Sequence, residues 1–132
     1  MDRERYHRLL FLIAALWNWT LAIAFFVLSR IDVGYFAAFG LEIPNTLLWF
    51  DSLMGLIFVF GIGFFFVSQN MMENHGLIMM AVFEKTWFFL ACVAWFFLGQ
   101  ASLWVVLVVT IDIIFGILFI EDLIAIRKLK AR

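Results

Sequence analysis

Apolar residues fall along this chain in four blocks, Leu9 to Leu28, Leu47 to Val67, Leu77 to Leu98 and Leu103 to Ile120, each broken by few polar positions. A bilayer core about 30 Å thick needs roughly 20 apolar residues of helix, and the four blocks meet that requirement. In lipid every backbone N–H and C=O must be satisfied internally, which favours helices over any open strand arrangement. The pattern therefore predicts an all-α protein: a four-helix transmembrane bundle forming a single membrane domain over residues 1–132, with spans at about 9–28, 47–67, 77–98 and 103–120. The connections Ser29 to Thr46, Ser68 to Gly76 and Gly99 to Ser102 leave no room for a soluble domain. The first block follows three arginines, as a signal peptide would. Its apolar run is too long for that, however, and Ser29-Arg30-Ile31 is no small-residue cleavage site, so it reads as a retained span.

The first connection carries its own pattern. Val33-Gly34-Tyr35-Phe36-Ala37-Ala38-Phe39-Gly40-Leu41 is apolar and aromatic yet too short to span. It is expected to lie along the membrane interface, as a short interfacial segment between helices 1 and 2. The segment would be helical up to Gly40 and then extended at Ile43-Pro44, because proline disfavours a helical residue before it. Two roles suit such a segment, a plain spacer or a lid over a cavity that opens outward.

Charge sets the orientation. Arg3, Arg5 and Arg8 precede the first span, and Arg127, Lys128, Lys130 and Arg132 follow the fourth. Between them the first connection carries only Arg30, and the other two carry no Lys or Arg. An even number of spans and the positive-inside rule then agree on N and C termini in the cytoplasm, and on a multi-pass protein of the cell inner (cytoplasmic) membrane. Trp49, Trp95 and Trp104 fall toward the outer side, where an aromatic belt belongs. Composition strengthens the membrane reading: 67% of residues are hydrophobic and 14% charged, against about half and a quarter in soluble domains, and mean hydropathy is +1.08. A soluble domain of this length hides only about 68 to 70% of the surface its unfolded chain exposes. The excess of apolar surface excludes a soluble enzyme, a nucleic-acid module and a disordered chain. The net charge of −1 points to no polyanionic partner. The single cysteine, Cys92, cannot form an internal disulfide and reads as a small buried hydrophobe.

Four ionisable residues interrupt the spans: Asp51, Glu84, Lys85 and Asp112. Each costs about 2.5 to 3.5 kcal/mol to insert, so each needs a partner, water or a purpose. With a rise of about 1.5 Å per residue, Lys85 and Asp112 both lie roughly 12 Å from the cytoplasmic ends of their spans, Asn18 roughly 14 Å and Glu84 roughly 10 Å. Spans three and four are joined by a tight turn, so an ion pair between Lys85 and Asp112 is the simplest way to neutralise both. Trp17, Trp19 and Trp87 fall at the same depth. Such a polar and aromatic layer has three readings: a register lock without chemistry, a proton or ion relay, or an anchor for the polar head of an apolar ligand. If Lys85 and Asp112 neutralise each other, Glu84 must be protonated, face water or compete for the lysine. Neighbouring helical positions diverge by about 100°, which favours Glu84 facing the inner boundary or another subunit.

The remaining polar features are weaker. Asp51, near Ser52 at the outer end of span two, suits helix capping or interface exposure. His75 in the second connection and His7 in the basic N-terminal tail lack partners at metal-ligand spacing, so no metal site is indicated. No cofactor is indicated. Gly61-Ile62-Gly63 follows no strand and reads as helix packing; Gly55 and Gly116 also permit close helix approach.

Taken together, Gly61-Ile62-Gly63-Phe64, His75, Glu84-Lys85, and Ile111-Asp112 with Phe115 and Phe119 resemble the pattern of a group of small four-span prokaryotic integral membrane proteins of uncharacterised function; Asn18-Trp19 and Pro44 fit it too. That pattern has glycine at position 84 and asparagine at position 111, where this chain has Glu84 and Ile111. The layout is also similar to DoxX-like four-helix proteins. The resemblance implies a membrane bundle and no particular activity.

The functional expectation is a small membrane accessory or binding protein, alone as a homo-oligomer or as a subunit of a larger membrane complex. It would contact membrane lipid and no nucleic acid, and would hold a lipid- or quinone-like apolar ligand at the polar and aromatic midlayer. The alternative is an oligomeric proton- or cation-coupled transporter or channel using Glu84 with Lys85 and Asp112. No nucleophile–base pair is readable and no catalytic residue is indicated. A lipid-modifying site from Glu84 and His75 would have to bridge about 14 Å of helix.

Overall fold

The computed structural model describes residues 3–130, and all regular structure among them is helical. In chain order, α1 is Arg3–Ile31, α2 Tyr35–Ala38, α3 Leu48–Gln69, α4 His75–Phe97 and α5 Leu103–Lys130. Four of these, α1, α3, α4 and α5, are long and apolar enough to cross a membrane. Helices α1 and α5 outrun the apolar blocks that the sequence marks. The Arg, Glu and Lys residues beyond those blocks are good helix formers, so the hydrogen-bonded backbone continues past the end of the greasy stretch. Arg132 and the side chains of Arg3 and Lys130, part of the basic flanks, lie outside the described residues.

Each long helix buries one face at heptad-like spacing. On α3 the buried positions are Met54, Ile57, Gly61, Phe64 and Val67/Ser68; on α4 they are Ile78, Ala81 and Lys85. The same rhythm runs His7, Phe11, Ala14, Asn18 and Ala22 on α1, and Val109, Asp112, Phe115, Phe119, Asp122 and Ile126 on α5. The period of three and four keeps these side chains on one stripe of the helix. Helices α1 and α3 pack along each other, α4 and α5 do likewise, and α3 touches α4 more sparingly. The two pairs are joined tightly at one end only. There Phe11 of α1 stacks on Phe119 of α5 with ring centroids 4.7 Å apart, and Phe64 of α3 meets Phe119 at 5.3 Å. Ala14, Ala15, Ile78, Ala81 and Phe115 complete that core.

The other end is closed by α2 and its flanks. Gly40, at φ +69, ends α2 in the left-handed conformation; the Leu41 amide donates back to the Phe36 carbonyl at 2.9 Å, which closes the turn. Ser102 at the α4–α5 turn donates its amide to the Phe39 carbonyl at 3.1 Å, tying the first connection to the far helix pair. Trp49, Trp95 and Trp104 sit exposed on the bundle surface at this end.

Candidate functional site

Lys85 is almost completely buried, with 1% of its surface exposed. Its Nζ donates to Asp112 Oδ1 at 2.7 Å and to Asn18 Oδ1 at 2.9 Å. The Asn18 amide in turn donates to the Ile57 carbonyl at 3.1 Å. One short chain of hydrogen bonds thus links α1, α3, α4 and α5. Gly116, one turn after Asp112, leaves room for the lysine stem: a Cβ there would already sit 3.5 Å from Lys85 Cβ. The Phe64 ring lies 5.6 Å from Nζ and gives the ammonium an aromatic face.

Glu84 turns toward this cluster and not toward the inner boundary. Its Oε2 comes within 3.5 Å of Lys85 Nζ and is buried without a hydrogen-bond partner among the described residues. The backbone directions of the two residues do diverge, but both side chains are long enough to fold back to a common point. The cluster therefore brings two carboxyl groups to one amine.

Of the three tryptophans at this depth, Trp17 packs against the core and Trp19 donates its indole N–H to the Phe58 carbonyl at 3.2 Å. Trp87 does not join them. It is 75% exposed and, with Phe83 and Leu90, lies on the outer face of α4, because it stands two positions beyond the buried Lys85 and so points away from the stripe. Asp51 is no cap either. It pairs with Arg30 at 2.6 Å across the α1–α3 contact, while Thr46 Oγ1 accepts the Leu48 amide at the start of α3. Arg30 lies over the Phe26 ring at 4.3 Å. Nor does Gly55 carry a close helix contact: a Cβ there meets nothing within 4 Å.

Between the two helix pairs, on the α2 side of the polar cluster, lies a cavity of about 390 Å³. All four long helices line it, through residues that include Phe25, Ile57, Phe88 and Val109, together with Tyr35, Phe36 and Phe39 of the first connection. Its walls are almost wholly apolar. Leu21, Phe88 and Val109 on the wall stand three positions from Asn18, Lys85 and Asp112, a separation of about 4.5 Å along each helix axis. The cluster thus forms a polar floor one turn beneath an apolar chamber, and Asn18, Lys85, Asp112, Trp17, Trp19 and Trp87 are not themselves on its wall.

A second buried polar contact falls on His7, which the sequence places in the basic N-terminal tail without a partner at metal-ligand spacing. His7 is buried, and its Nδ1 lies 2.6 Å from Asp122 Oδ1 of α5. The signal was present in the spacing: His7 stands eleven residues before Asn18 and Asp122 ten after Asp112, which returns both to the buried stripe. Counting α1 and α5 as ending with their apolar blocks hid it. No protein-family model, characterised protein or solved structure matches the chain.

Proposed function

We propose that this protein is a small integral component of the cytoplasmic (inner) membrane that binds an apolar, lipid- or quinone-like molecule, acting as an accessory protein in a homo-oligomer or a larger membrane complex. The observation that carries the reading is the 390 Å³ apolar cavity, lined in part by the aromatic residues of the first connection and lying one helical turn from the Lys85 cluster. Small-molecule sites have this character: concave, mostly apolar, with few polar groups to fix orientation, and about 300 to 1,000 Å³ in volume. The bound molecule would occupy the chamber beside the polar layer, and Lys85, Asp112 and Asn18 would hold the chamber's floor in register. Under the positive-inside orientation the chamber lies in the outer leaflet.

Cys92 lines the cavity and supplies a reporter, since it is the single cysteine. In reconstituted vesicles, a bilayer-soluble eleven-carbon probe is expected to slow labelling of Cys92 by a small permeant thiosulfonate several-fold. A cysteine moved to the exposed face of α4, Leu90→Cys in a Cys92→Ala background, should label at the same rate with or without probe. Equal rates at Cys92 would remove the binding reading.

A second reading, a proton- or cation-coupled pathway through an oligomer, draws on the surplus carboxylate: Lys85 Nζ has Asp112 at 2.7 Å and Glu84 at 3.5 Å. It predicts a proton flux in reconstituted vesicles that drops at least tenfold in Glu84→Gln. A flux indifferent to that substitution would eliminate it.

A further inference from the structure

The chamber opens on one side. Among its wall residues the exposed ones are Leu53 of α3, Trp95 of α4 and Gln100 just beyond α4; the others are buried or half-buried. Helices α3 and α4 also pack sparingly against each other. The gap between them therefore faces lipid, near the end of the bundle that carries Trp49, Trp95 and Trp104. Inside, the chamber offers little to a polar group. No charged side chain is among the wall residues, and Lys85 is committed to Asp112 and Asn18 a turn away. The phenolic oxygen of Tyr35 is sealed from solvent and chamber alike, so it can bond nothing held there. Gln100, the amide side chain on the wall, is exposed at the outer rim.

We infer that the occupant is one acyl chain of an outer-leaflet phospholipid, which slips between α3 and α4 while its head stays at the interface. This rests on the binding reading above and narrows it. Size decides how much of a lipid enters. An apolar cavity of about 150 Å³ takes one six-carbon benzene ring, so a chamber of about 390 Å³ takes at most roughly fifteen carbons. A whole phospholipid or a long polyprenyl tail exceeds that. A quinone ring would also strand its carbonyl oxygens, since no donor inside reaches them, and an unmade hydrogen bond is costly in an apolar surrounding. An anionic head would stand against the same apolar wall without a cation. A hydrocarbon chain loses nothing there. Trp95 and Gln100 stand at the rim where the chain would leave for its ester, and an indole and an amide both suit that boundary between apolar and wet surroundings.

The test is photolabelling of the full-length protein in vesicles of phosphatidylethanolamine and phosphatidylglycerol. A trace of phosphatidylethanolamine carries a diazirine on its palmitoyl chain, either near the methyl end or beside the ester, and the adducts are mapped by mass spectrometry. The methyl-end probe should mark Ile57 and Val109, buried wall residues that bulk lipid does not reach. The ester-side probe should mark Trp95 and Gln100 at the rim, with Trp95 about 10 Å along α4 from Phe88 at the chamber's depth. Cys92→Phe, which fills the chamber, should lower labelling of Ile57 several-fold and leave that of Leu90, on the lipid-facing side of α4, unchanged. Preferential marking of Ile57 and Val109 by the ester-side probe overturns the head-out arrangement. Marking of the two by diazirine-bearing free palmitate at equal mole fraction, and not by the phospholipid, overturns the phospholipid source. If neither lipid marks them while the eleven-carbon probe still protects Cys92, the acyl-chain assignment falls and the binding reading stands. If Cys92 is unprotected as well, both fall. The wild-type comparisons decide the matter even if Cys92→Phe folds poorly.

Discussion

Replacing Lys85 by methionine is expected to cost about 3 to 5 kcal/mol of stability, the scale seen when one member of a buried ion pair is removed. Methionine nearly matches the lysine stem in length, so the loss is electrostatic and not steric. What remains is Asp112, 2% exposed, and Glu84 beside it, with no cation to neutralise either. Asn18 also loses the donor to its side-chain oxygen. Equilibrium unfolding in bicelles or mixed micelles would measure the effect. A loss below about 1 kcal/mol would mean that the ammonium is not committed to this cluster. The triple variant Lys85→Met, Asp112→Leu, Glu84→Gln should recover most of the stability, because exchanging a whole buried charge set for apolar or neutral groups is often neutral. Were the triple variant as unstable as the single one, the charges would have to be holding the helices by attraction and not merely cancelling one another.

The contact between Lys85 and Asp112 is readable from the chain alone because two simple quantities fix it. Helical rise gives each residue its depth, and the five-residue connection after α4 makes α4 and α5 neighbours. Depth cannot give azimuth, side-chain reach or helix spacing. Trp87 shares the height of the cluster but stands on the far side of its helix. Glu84 stands one position from Lys85, yet a flexible side chain brings its carboxylate to the same ammonium, which a backbone angle does not foresee. His7 and Asp122 were missed because hydropathy marks where lipid begins and not where a helix stops packing. The cavity was the least legible feature. It arises from an uneven join, in which aromatic rings bring the two helix pairs together through Phe11, Phe64 and Phe119 at one end while at the other the pairs part around the cavity and α2. No local pattern in the sequence encodes the distance between two helix pairs. What the sequence does show is that the aromatic stretch after Ile31 is too short to span and too apolar to be free in water, and the structure seats it over the chamber.

Gly61→Ala should destabilise the α1–α3 pair by about 1 to 3 kcal/mol, the range for forcing extra atoms into a packed interior. A Cβ at position 61 would stand 2.5 Å from Trp19 Nε1 and 2.6 Å from Cδ1, with the Ala15 carbonyl oxygen at 3.3 Å. Those indole atoms are not a yielding tip. The ring is held between Phe58 and Phe65, with centroids 6.1 and 6.2 Å away, and its N–H is bonded to the Phe58 carbonyl. Either Trp19 swings out and gives up that bond, or α1 backs away from α3. The second course would also stretch the neighbouring Asn18–Ile57 bond and with it the tie from α1 to Lys85. The two courses separate experimentally. If only the indole yields, Trp19→Ala should relieve most of the penalty, and the double-mutant cycle should show a coupling comparable to the single loss. If the helices part, Cys92 on the cavity wall should also label faster in Gly61→Ala, since Leu21 and Phe25 of α1 and Met54 and Ile57 of α3 form one side of that chamber. An alanine at position 61 with unchanged stability and unchanged labelling would mean that α1 and α3 do not approach as closely as the glycine permits, and the polar tie across the bundle would then lack the close α1–α3 packing on which it depends.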